Sequence, residues 1–144
     1  MEREIKFRGK RLNNGEWVVG DLIHKNNGDV AIRTYLNVWV ENSDDIDAYG
    51  EEFIINPATV GQYTGLKDKN GKEIWEWDIA MVEVRGEEYD AILAVCPFLV
   101  MFSDGWFCIA EDEESPWGPI SKLESLEVIG NIHDHPELLN RADI

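Results

Sequence analysis

Three histidines, two cysteines and a large surplus of carboxylates are the residues of this 144-residue chain that could do chemistry. His133 and His135 flank Asp134. Alternate residues on a strand share a face, so both imidazoles could reach one ion, with His24 or an acidic side chain as third ligand. The same run also reads as an exposed loop with ordinary turn residues, and neither a metal nor any other cofactor is expected. Cys96 and Cys108 lack CxxC spacing and fit two reduced thiols in or near a core. Neither lies beside a histidine in sequence, and no Gly-x-Ser-x-Gly occurs, so nucleophilic catalysis has no support. Gly61-Gln62-Tyr63-Thr64-Gly65 has a glycine at each end. It lacks the Gly-Lys-Ser/Thr and following helix of a phosphate cradle and reads as a turn. No catalytic residue is expected, and binding is the expected mode of action.

The aromatic residues say more. Trp17, Trp39, Trp75, Trp77, Trp106 and Trp117 are many for this length. Trp75 and Trp77 have the same parity on an extended strand, so one face would carry both, beside Lys72 and near Tyr63. An exposed tryptophan pair is a good anchor for a partner or another subunit. Trp117, within Ser115-Pro116-Trp117-Gly118-Pro119, lies in a rigid loop that need not bury it fully. The expected interaction surface is therefore Tyr63, Lys72, Trp75, Trp77, Asp78 and Trp117.

The elements that must position these residues are mostly strands. Asn14-Gly15, Asn27-Gly28, Asn70-Gly71 and Asp104-Gly105 supply the positive φ that tight hairpins require. Between them lie expected strands over 16–23, 30–34, 38–41, 53–55, 79–84, 91–95, 98–102, 106–110 and 126–132. Many short strands with close turns point to a small sandwich or barrel. Helical signal is thin: only Pro136-Glu137-Leu138-Leu139 has a helix opening, with proline first and an acidic residue after it.

Apolar residues make up 44% of the chain, enough for a packed interior, and the length suits one domain or two very small ones. Lys and Arg total 13 against 29 Asp and Glu, a formal charge of −16. That balance weighs against nucleic acid as a general partner and against docking on an anionic membrane, and it suits basic partners. Basic residues gather at Arg3, Lys6, Arg8, Lys10 and Arg11 and at Lys67, Lys69 and Lys72, whereas acidic ones crowd 41–52 and 111–114. The acidic stretches read as solvated loops, or as a site for a basic partner or for the basic N-terminus. With no long apolar span and a charged N-terminus, a cytoplasmic location is expected.

Three segments resemble the YopX family of phage and prophage proteins of Gram-positive bacteria. They are Ile5-Lys6-Phe7-Arg8-Gly9-Lys10, the run from Thr59-Val60-Gly61 through Gly65-Leu66-Lys67-Asp68-Lys69-Asn70-Gly71-Lys72-Glu73-Ile74, and Glu127-Val128-Ile129-Gly130-Asn131-Ile132-His133. The resemblance implies a mostly β protein: a smaller β-rich N-terminal part over 1–58, then an SH3-like barrel over 59–144 with a short C-terminal helix. It also implies self-association, in a family of uncharacterised function. With the aromatic surplus and the lack of a catalytic constellation, the expectation is a non-catalytic phage or prophage accessory protein in the host cytoplasm, assembling as a homo-oligomer or binding a host or phage protein. An alternative is a nucleic-acid-associated regulator using the barrel and the basic N-terminus, or an acidic nucleic-acid mimic. Two departures stand out. Trp77 replaces the family's usual glycine, which puts the local backbone in doubt, and His135 replaces an asparagine before the proline, a better helix cap.

Overall fold

The computed structural model describes residues 3–34, 50–88 and 91–139. It divides into two compact units, 2–62 and 63–144, each built from antiparallel strands. The strand expected over 38–41, Trp39 and most of the first acidic stretch lie outside the described residues.

In the first unit β1 (Phe7–Lys10), β2 (Trp17–His24), β3 (Val30–Arg33) and β4 (Glu52–Ile54) pair in sequence order. The two glycine turns behave as expected, with Gly15 at φ 72° and Gly28 at φ 93°. Ala31, Ile32 and Ile55 are fully or almost fully buried. Gly9 explains one motif glycine: a Cβ there would come within 2.3 Å of Ile55 Cγ2, so only a bare backbone lets Ile55 close over β1.

β5 (Gly61–Lys67) pairs with β1 through Gly61 and Gln62, then continues into the second unit. The stretch 61–65 expected as a turn is thus a strand. Its two glycines do not break it, because tertiary pairing decides where periodicity is ambiguous. β6 (Glu73–Trp75) folds back on β5 after the Asn70-Gly71 turn. β7 (Asp78–Arg85), β8 (Ile92–Ser103), β9 (Trp106–Ala110), β10 (Pro116–Pro119) and β11 (Glu127–Asn131) form a sheet ordered β10-β9-β8-β7-β11. The strands expected over 91–95 and 98–102 are one, running through Pro97. β9 pairs β8 only from Leu99 onward, so at Pro97 no ladder bond is required on that side. At Asp104-Gly105 both residues have positive φ, 54° and 87°, as a two-residue hairpin demands.

One face of this sheet buries Ile74, Ala80, Val82, Phe98, Val100, Ile109, Ile120, Leu126 and Val128. β10 and β11 are its two edges, and the pairings among the described residues close no barrel. The expected tail helix is also corrected. Pro136–Leu139 forms a single 3-10 turn, the form that such a short piece takes when there is no length to propagate an α-helix.

Candidate functional site

The sequence-selected residues do not form one exposed patch. Tyr63 and Trp75 pair across β5 and β6, their ring centroids 5.4 Å apart, and are only 5% and 7% exposed. Asp78 is buried as well, and its Oδ2 accepts a hydrogen bond from the Trp75 N–H at 2.8 Å. Trp77 does not share a face with Trp75. Its φ is 72°, so the chain bends there; its N–H donates to the Val100 carbonyl at 2.7 Å and its own carbonyl accepts from the Ile132 N–H at 2.9 Å. The backbone keeps the glycine-type angle, and the indole packs against Met101, Cys108 and Ala110, edge-on to His133 at 6.5 Å. Parity failed because the segment is two strands joined by a tight bend, not one strand. Lys72 is exposed beside the turn.

Trp117 is different. It is 54% exposed, while its ring lies 4.9 Å from that of the fully buried Phe98. The register of β10 on β9 shifts between Pro116 and Gly118, so Trp117 is the extra residue of a β-bulge on an edge strand. Bulges re-aim side chains. Here the indole overhangs a groove of about 410 Å³ lined by Ile109, Trp117, Gly118, Pro119, Lys122 and Leu123. Pro119 leads into the 3-10 turn Ile120–Lys122, which anchors through the buried Ile120 and brings Lys122 and Leu123 to the groove. Sequence reasoning chose Trp117 but missed its neighbours, since nothing local marks Ile109 or Leu123 as groove-lining.

A second exposed feature was also missed. The outer half of the β7–β8 hairpin carries Ile92, Leu93 and Val95, each more than half exposed. Ile92-Leu93-Ala94-Val95 reads in sequence as a buried strand, because unbroken aliphatic runs normally are.

The titratable groups have structural surroundings. Asp68 sits inside the central motif with its Oδ1 accepting from the N–H groups of Asn70 and Lys72, and its Oδ2 from that of Val128, all at 2.9 Å. Burial works to raise its pKa. The three backbone donors and the Lys72 charge outweigh burial and hold the carboxyl below the ordinary aspartate range. Burial, and then the charge of Asp104, push the Cys108 thiol up. His135 lies over Gly130, where a Cβ would come within 2.9 Å of its Nδ1. Among the described residues no three His, Cys, Asp or Glu side chains converge as a metal site would require. Among them also, no helix is long and apolar enough to cross a membrane. Several N-terminal cations lie against the protein itself: Arg8 and Lys10 over the Trp17 ring, at 4.9 and 5.5 Å, and Arg11 over Phe53, at 4.2 Å.

A family model described as YopX protein matches residues 6–140. Two solved structures share the fold. Protein yopX from Bacillus subtilis is 19% identical with a TM-score of 0.55, the match covering 94% of this chain and 98% of that one. Protein EF1440 from Enterococcus faecalis is 24% identical with a TM-score of 0.50, covering 96% and 100% respectively. Comparison with curated proteins gives no match.

Proposed function

Because the chain belongs to the YopX family, we propose that it is a phage or prophage accessory protein that works by binding, as a non-catalytic interaction and self-assembling module in the host cytoplasm. The observation that carries this is Trp117, a large indole fixed on the core through Phe98 yet half in water over an apolar groove. Ordering an exposed tryptophan in this way prepares a binding anchor, because little conformational freedom is left to lose on association. We read the C-terminal sheet as an SH3-like fold left open. Supporting this are the return of the last strand, β11, to pair with the first, β7, and the 3-10 turn just before it.

Affinity capture from lysogenic or infected cells, with mass spectrometry of the bound proteins, tests the reading. The native chain is expected to retain a defined protein that Trp117→Ala loses, with both baits equally folded by circular dichroism. Identical captures by the two baits would remove Trp117 from the binding surface.

Self-assembly has its own support in Ile92, Leu93 and Val95 on the β7–β8 hairpin. Leu93 and Val95 share a face of the strand, and exposed aliphatic side chains so close together are costly to leave in water and are commonly covered by another chain. Light scattering is expected to give a multiple of 16.5 kDa, and Leu93→Asp with Val95→Asp to lower it. A clean monomer for the native chain sinks this part.

A further inference from the structure

The chemistry around the Trp117 groove says more about its occupant, on the premise that the groove is the binding surface just proposed. The loop leading into β10 is Glu111-Asp112-Glu113-Glu114, all four exposed. It is a formed turn: the Glu111 N–H donates to the Ser115 carbonyl at 3.1 Å, and the Asp112 Oδ1 accepts from the Glu114 N–H at 2.9 Å. Glu124 follows Leu123 at the other end of the lining residues and is also exposed. Lys122 is the one cation among the groove-lining residues. The wider surroundings have the same sign, since residues 63–139 carry sixteen acidic and five basic residues outside positions 89 and 90. A cation approaching the groove is therefore attracted, and a face of tryptophan is a favourable place to seat one.

The backbone limits how an occupant can lie. β10 is an edge, which in principle invites an added strand. Pro116 and Pro119 have no N–H to offer, however, and the bulge at Trp117 breaks the regular ladder. An occupant that relied on strand pairing would find few donors. A segment in the polyproline II conformation needs none, because its backbone is satisfied by water, and it binds aromatic-lined grooves through its side chains.

We infer that the Trp117 groove takes a basic, proline-containing extended segment of a partner protein. The prolines lie on Trp117, Pro119 and Leu123, and a Lys or Arg reaches the acidic turn 111–114.

The test uses the full chain and three short fluorescent peptides: a proline-rich one with Arg at both ends, the same with Glu for Arg, and the first with Ala for Pro. Fluorescence anisotropy is expected to show binding of the Arg–Pro peptide, weaker as salt rises. The other two should bind at least about tenfold less tightly. Trp117→Ala should weaken the Arg–Pro peptide by at least about tenfold. Since Trp117 also touches Phe98, a second variant, Glu113→Lys with Glu114→Lys on the exposed turn, should weaken it without lowering the melting temperature. Equal binding of the Arg and Glu peptides, no binding of any of them, or no effect of the charge reversal overturns the inference. The binding-module reading fails separately, only if protein capture is indifferent to Trp117.

Discussion

At the scale of single residues, Trp77 holds a backbone angle that tryptophan rarely adopts. A bulky residue at positive φ costs on the order of 1–3 kcal/mol, maintained here by the hydrogen bonds to Val100 and from Ile132 and by packing on Met101, Cys108 and Ala110. In ordinary strand or helix backbone, alanine is more stable than glycine. At position 77 the order should invert: Trp77→Gly is expected to be more stable than Trp77→Ala by about 1 kcal/mol in urea denaturation. The usual order would mean that the bend relaxes when the indole goes. Asp68 makes a second prediction. Its folded pKa is depressed, so its stabilisation is complete above the unfolded aspartate pKa of about 3.9 and disappears as pH falls through the lower folded value. Asp68→Asn should lower stability at neutral pH and flatten the acid limb of the stability profile below about pH 4. An unchanged acid limb would assign that limb to other carboxylates.

At the scale of elements, Gly9 shows what a motif glycine is for. Gly9→Ala must push Ile55 aside, and overpacking of this kind is expected to cost about 1–3 kcal/mol, read as a lower denaturation midpoint with an unchanged slope. Much of this level was legible beforehand. All four Asn-Gly and Asp-Gly pairs fall in reversals between consecutive strands, because few other residues accept the required angle cheaply. What escaped was whatever depends on partners distant in sequence. β1, β5 and β10 have weak local signals and are strands because β2, β1 and β9 lie alongside. The exposed tryptophan pair was misplaced for the same kind of reason. Parity holds along one strand, and the strand that carries Trp75 ends there, before the bend at Trp77. Trp117 was expected to escape full burial from its place among prolines, and it is half exposed. The groove beneath it required the 3-10 turn at Ile120–Lys122, which no local pattern announces.

For the molecule as a whole, a formal charge of −16 means that folding brings like charges together. Added salt should raise the melting temperature of the native chain by screening that repulsion, most steeply below about 0.15 M, where the Debye length exceeds about 8 Å. A melting temperature that falls over that range would show attractive ion pairs, such as Lys69–Glu127, to be the larger electrostatic effect. The Asp68 carboxylate has one more consequence, in the order of events during synthesis. Two of its backbone donors, Asn70 and Lys72, leave the ribosome almost with it, whereas Val128 follows 60 residues later. Until then its Oδ2 lacks the Val128 donor, and the Asp68 carboxylate cannot reach its buried environment. The central motif is thus made early, and its aspartate gains its third backbone donor only when β11 arrives.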